Sequence, residues 1–129
     1  MGKHVRVAAV VAALGFAAAT SASAQALPAG VTQEQFDKGK AVWSGSGLCF
    51  ACHGMKAEGA VGPKLTNRDA TGWWHSDGSI AGIAAFVTAG VVKEKAKSGI
   101  LMPAKGGNAK LSDEDVKAVS AYVYAISRK

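Results

Sequence analysis

The segment Leu48 to Met55 reads LCFACHGM and holds both cysteines of the chain, Cys49 and Cys52, with His53 directly behind the second. Two thiols three positions apart suit a redox dithiol, half of a metal site, or an anchor for a covalent group. A dithiol oxidoreductase wants this pair at a helix start after a strand, within a βαβ unit. No strand pattern precedes Leu48. A zinc site wants four ligands. Besides Cys49, Cys52 and His53, the chain beyond its leader offers only His75 and acids. Adjacent Cys52 and His53 also crowd a tetrahedral centre. A structural disulfide across four residues would remove little unfolded-state entropy. The third option is Cys-x-x-Cys-His as a c-type haem attachment site. Positions i and i+3 share one side of a helical turn. Cys49 and Cys52 can then reach two vinyl groups on one porphyrin edge as thioethers. His53 is carried under the ring, where its imidazole can bind the iron.

The ends of the chain bear on that reading. Met1 to Arg6 is basic, Val7 to Ala19 is an uncharged apolar run, and TSASAQA follows. This order describes a secretory signal peptide with cleavage near Ala24 or Ala26. The 13-residue run is short of the roughly 20 residues that span a bilayer. Residues 1–24 are therefore read as a leader and 25–129 as one domain, with a periplasmic address and no stable membrane insertion after cleavage. Covalent c-type attachment also takes place after export in bacteria. Without Lys3 and Arg6 the domain carries 13 basic and 9 acidic side chains, a net +4. The lysines are scattered, without interleaved aromatics, so nucleic acid is excluded as a partner. A diffuse positive face suits an acidic docking surface on a protein partner. A chain of this size has a limited core and benefits from a staple or a bound group.

Periodicity gives the elements. Thr32 and Gln35 form a capping-box pattern ahead of a helix over Gln33–Ser44, with Phe36, Gly39, Val42 and Trp43 on one side. Gly45-Ser46-Gly47 ends it, and the paired cysteines follow. Residues 54–67 read as loop, and 69–77 hold at most a short helical turn around Trp73-Trp74. Ile80, Ile83, Ala84 and Val87 mark a middle helix that ends at Gly90. Lys93 to Gly107 reads as a polar loop with one apolar knot, Ile100 to Pro103. Ser112 caps a last helix beginning Asp113-Glu114-Asp115, where the macrodipole favours acids. Its stripe is Val116, Val119, Tyr122, Val123 and Ile126. Val91-Val92 is the one hint of strand. The domain is all-α, and its long loops need something central to wrap around.

Over nearly all of this domain the chain resembles a small monohaem class I cytochrome c. Gly39 and Trp43 look like that family's glycine-plus-aromatic pair in the first helix, and Tyr122 like the aromatic packed across the glycine. Gly62 to Leu65, GPKL, is similar to its Gly-Pro-x-Leu. The resemblance implies three or four main helices around one covalently bound haem c. It implies that the Pro63 carbonyl accepts a hydrogen bond from His53. It also implies a distal methionine before the last helix. Met1 leaves with the leader, and Met55 is tethered beside His53, so Met102 is the remaining candidate. His75 is the competing distal ligand. Trp73, Trp74 and Arg68 are candidates for the haem propionates. The function implied is one-electron transfer through a low-spin haem with His53 and Met102 as axial ligands, by a monomeric carrier rather than an enzyme. Two alternatives remain: a catalytic or gas-binding haem protein with a labile distal site, and the cytochrome subunit of a larger periplasmic oxidoreductase.

Overall fold

The computed structural model describes Gly2, residues 26–68 and residues 76–128. Met1 and residues 3–25, with nearly all of the leader and Ala24, the segment containing Trp73, Trp74 and His75, and Lys129 lie outside the described residues. Four α-helices are present among the described residues: α1 (Gln33–Ser44), α2 (Cys49–His53), α3 (Ile80–Ala89) and α4 (Asp113–Ser127). There is no β-strand among them, as the all-α reading requires.

Local signals set the helix boundaries. The Thr32 hydroxyl accepts from the Gln35 amide while the Gln35 side chain accepts from the Thr32 amide, a capping box that starts α1. Ser112 and Asp115 build the same device for α4. The Ser79 hydroxyl accepts from the Gly82 amide to start α3, and Gly90 ends it at φ +72°. At Gly90 a side chain would also collide with the chain: a Cβ would lie 2.5 Å from the Met102 carbonyl oxygen and 2.6 Å from the Ala104 nitrogen. The Met102 segment can therefore pass close behind α3 only because residue 90 is glycine.

The core lies where α1 and α3 pack on α4. Val42, Trp43, Ile83, Leu111, Val119 and Val123 are buried together. The Tyr122 ring stands between Phe36 and Trp43, with ring centroids 5.1 Å and 5.7 Å away. Both distances suit tilted aromatic packing. Lys38 reaches Glu114 at 3.4 Å and Asp115 at 3.5 Å across the outer end of this interface. These groups are solvated, so the apolar seam, not the ion pairs, carries most of the stability.

Gly39 decides how closely α1 and α4 approach. A Cβ there would lie 2.6 Å from Tyr122 Cβ and 2.7 Å from the Ala118 carbonyl carbon, and would strike the Ala118 carbonyl oxygen. Two of those atoms are backbone and cannot swing aside. Gly39→Ala gains about 1 kcal/mol of helix propensity, but overpacking a tight core costs about 1–3 kcal/mol. The steric term wins, so the variant is expected to unfold at lower denaturant with an unchanged m-value. A midpoint equal to or above that of the parent would show that the helices do not meet at this glycine.

The long segment between α3 and α4 is better organised than its composition suggests. Two short 3₁₀ turns, Lys93–Lys95 and Ala104–Gly107, interrupt it. Val91 and Met102 exchange both backbone hydrogen bonds, at 2.7 and 2.9 Å, in a single antiparallel bridge. The strand hint at Val91-Val92 thus reduces to Val91 alone; Val92 is exposed and opens the first 3₁₀ turn.

Candidate functional site

A five-residue helix is too short to persist alone, so α2 must be held by its surroundings. Gly47 N–H donates to the Val42 carbonyl at 2.8 Å, and Leu48 N–H to Gly45 at 3.1 Å, folding the chain back from α1. Leu48 takes a left-handed conformation at φ 51°, which costs a residue with a Cβ about 1–2 kcal/mol. Phe50, between the cysteines, packs against the core. Gly62 N–H donates to Cys52 at 2.7 Å and Gly59 N–H to His53 at 2.8 Å, so the following loop is stitched onto α2.

The result is a fixed triad. Cys49 and Cys52 fall on one side of the turn and line the same cavity as His53. Neither cysteine is in a disulfide. Burial pushes the Cys49 thiol up to about 11, the reverse of the activated thiolate a dithiol oxidoreductase needs. With α1 rather than a strand ahead of it, the redox-dithiol alternative has no support. Among the described residues no group of three or more His, Cys, Asp and Glu side chains could hold a metal ion, so the zinc alternative lacks a ligand set there.

His53 is buried, and its Nδ1 lies 2.9 Å from the Pro63 carbonyl oxygen. A carbonyl oxygen only accepts, so Nδ1 carries the proton and Nε2 keeps a free lone pair. Burial also holds the imidazole pKa below its usual value, partly offset by the Pro63 bond, which favours the neutral, ligating form. Gly62 lies against the ring: a Cβ there would be 2.8 Å from His53 Cε1 and 2.9 Å from Nδ1. The Gly-Pro pair therefore has two jobs, clearing the ring and orienting it. Trp43 packs on His53 from the core, with ring centroids 6.0 Å apart. Its buried indole N–H has no hydrogen-bond partner among the described residues.

Met102 lines the same cavity as His53, held there by its backbone pairing with Val91. Ile83 and Phe86 of α3 form another part of the wall. An adjoining inner cavity shares Cys49, His53, Ile83, Phe86 and Met102. The outer one is a cleft partly open to solvent and lined mainly by apolar side chains, the usual character of organic ligand sites. Around it Leu48, Val61, Ile100 and Leu101 are each about half exposed. An apolar cleft with two thiols on one edge and a ligating nitrogen beside them fits a porphyrin.

Other expected site residues fall elsewhere. Met55 is exposed and away from the cleft wall, as its tether to His53 implies. Arg68 is not part of that wall: its Nε donates to the Lys64 carbonyl at 2.6 Å, and its backbone N–H to Ser127. Trp73, Trp74 and His75 lie outside the described residues. Phe86 was missed by the periodicity argument, which followed Ile80, Ile83, Ala84 and Val87. Its i+3 spacing from Ile83 was the available signal.

No curated protein matches the chain. The family described as cytochrome c oxidase, cbb3-type, subunit III matches residues 34–123, from the first turn of α1 to the last part of α4. That span contains the haem-attachment turn, the Gly-Pro loop and the Met102 segment. The chain accordingly belongs to the cbb3-type cytochrome c oxidase subunit III family: it is a small c-type cytochrome, carries covalently bound haem c at its Cys-x-x-Cys-His turn, and serves haem-based electron transfer.

Proposed function

We propose that this protein is a one-electron carrier whose haem iron is held between His53 Nε2 and the Met102 sulfur. The observation that carries this reading is the protonated, Pro63-bound Nδ1 of His53, which leaves Nε2 free beside the cysteines in the cleft that Met102 also lines. The bound haem supplies a one-electron change between ferric and ferrous iron. Cys49 and Cys52 fix its edge as thioethers. The His53–Pro63 bond sets the imidazole plane and raises its donor strength. The Met102 thioether is a soft donor that favours the reduced metal. With His53 and Met102 both holding the iron, no site would be left for oxygen or peroxide. Ile83, Phe86 and Trp43 give the inner cavity an apolar wall, while the exposed apolar rim leaves one edge close to solvent.

Several further features belong to this proposal. Residues 1–24 are a leader, removed near Ala24 or Ala26, that directs residues 25–129 to the periplasm. No helix among the described residues is long and apolar enough to cross a membrane. Lys93, Lys95 and Lys97 follow Val91 in the segment that lines the cleft. They suit weak, salt-sensitive docking to an acidic face of a redox partner, with the carrier itself a monomer. A second reading has a specific basis in the family's description as an oxidase subunit: the chain then works as the cytochrome subunit of a larger complex.

The direct test is the spectrum of the purified protein. The ferric form is expected to show the weak red sulfur-to-iron charge-transfer band, and the untreated ferrous form to bind no carbon monoxide at neutral pH. Rapid carbon monoxide binding would sink the closed-site carrier in favour of a gas-binding or catalytic protein. Elution with a large partner chain at native expression, rather than as a monomer, would favour the subunit reading.

A further inference from the structure

The eight residues after Met102 present a physical problem. None of residues 103–110 is buried, and Pro103, Ala104 and Ala109 are exposed, so no apolar anchor fixes this stretch until Leu111. Its backbone bonds are local: Gly106 to Pro103, Asn108 to Lys105, Leu111 to Asn108. These shape the segment, and at its start the backbone of Pro103 and Ala104 passes close to Gly90 at the end of α3. Residues 105 and 106 also turn through left-handed conformations, φ 52° and 64°.

Beyond that approach, two side chains tie the segment down. Asn108 Nδ2 donates to the Ser46 carbonyl at 2.9 Å, across 62 positions of sequence. Ser46 belongs to the Gly45–Gly47 turn that launches the haem-binding helix. The two backbones meet there: a Cβ on Gly106 would lie 2.9 Å from the Gly47 carbonyl oxygen. Lys105 Nζ donates to the Leu111 carbonyl at 2.7 Å and stands 3.8 Å from Asp113 Oδ1. Its side chain is only 23% exposed and lines the inner cavity with Met102 and His53. A long charged side chain turned inward onto a carbonyl spans the loop from within.

We infer that Asn108 and Lys105 are positioning residues for Met102, forming a latch that ties its loop to the turn before Cys49 and to the start of α4. The inference rests on Met102 being the distal ligand. On the other side, Met102 is held by Val91. The latch completes a closed frame in which the sulfur has one place to sit. A frame of this kind limits how often the thioether leaves the iron, and so limits entry of outside ligands.

The test uses the whole haem-loaded protein and imidazole as a probe of the ferric distal site. Asn108→Asp keeps the volume but replaces the donor with an acceptor facing Ser46. Lys105→Met keeps the stem and removes the donor. Each is expected to bind imidazole about tenfold more tightly, the factor that corresponds to losing one hydrogen bond. Lys105→Arg, which keeps the donor, should bind it like the parent. Thr32→Ala removes the α1 cap, far from the loop, and controls for general loss of stability; its imidazole affinity should not change. Met102→Ala sets the open-site limit. Parental affinity in Asn108→Asp and Lys105→Met, with Met102→Ala clearly tighter, overturns the latch and spares the ligand assignment. A rise in Thr32→Ala equal to theirs also overturns it. A parent already as tight as Met102→Ala removes the ligand assignment, and the latch with it.

Discussion

Met102→Ala is expected to leave the haem attached while the reduction potential falls by on the order of 0.2 V, a quarter of the roughly 0.8 V that axial ligands span. Attachment depends on Cys49 and Cys52, which stand on α2, a turn held by backbone bonds from Gly59 and Gly62. The potential depends on the distal donor. A thioether favours ferrous iron, whereas the water that takes its place in an alanine variant is a hard oxygen donor and favours ferric iron. Truncation also opens the cleft at a half-buried position between Val91 and Pro103. The variant should therefore lose the red charge-transfer band and bind carbon monoxide readily when reduced. Its backbone pairing with Val91 uses only main-chain atoms, so the loop need not unfold for these changes to appear. Potentiometric titration beside the spectrum checks both. An unchanged potential with an unchanged band would mean that another residue holds the far side of the iron.

The parts of this site that the sequence made legible are those with short-range causes. The helix starts at Thr32 and Ser112 follow from side-chain oxygens within three residues of the amides they cap. Cys49, Cys52 and His53 lie within one turn, so their common side follows from helical geometry. The buried stripe of α4 is likewise periodic. Gly39 and Gly62 needed more: each is glycine because of an atom far away in sequence or on another element, Tyr122 in one case and the His53 ring in the other. Family resemblance supplied the Gly39 contact and, for the Gly-Pro pair, the Pro63–His53 bond; the Gly62 contact with the ring came from the structure. The loop after α3 stayed opaque for the same reason. Its order comes from Val91 pairing with Met102, Asn108 reaching Ser46, and Lys105 bending onto Leu111. No periodic pattern announces any of these. Polar residues in a glycine-rich stretch look alike in sequence whether they are solvated or form a frame.

Replacing both Cys49 and Cys52 with serine should have the largest effect on the protein as a whole. The haem is then held only by His53, Met102 and apolar contact, and it should pass into acidified organic solvent instead of remaining with the chain. Thermal stability should become dependent on haem concentration, because a non-covalent ligand stabilises through mass action and a tethered one does not. The structure indicates which parts should loosen first. The interface of α1 with α4 is closed by Gly39, Phe36, Trp43 and Tyr122, none of which lines the outer cleft. By contrast α2, five residues long, and the Met102 segment, with no buried side chain over 103–110, have little else to pack against. Amide exchange in the haem-free double variant should therefore rise most in residues 48–65 and 91–110, while α1 and α4 keep more of their protection. Each single variant, with one thioether left, should retain its haem in acid and fall between parent and double variant in unfolding midpoint. Haem that stays with the double variant in acidified solvent would contradict attachment through these two sulfurs. Uniform loss of protection across all four helices would show that the apolar seam of α1 and α4 cannot hold without the porphyrin beside it, which would make the bound group the centre of the fold as well as of the chemistry.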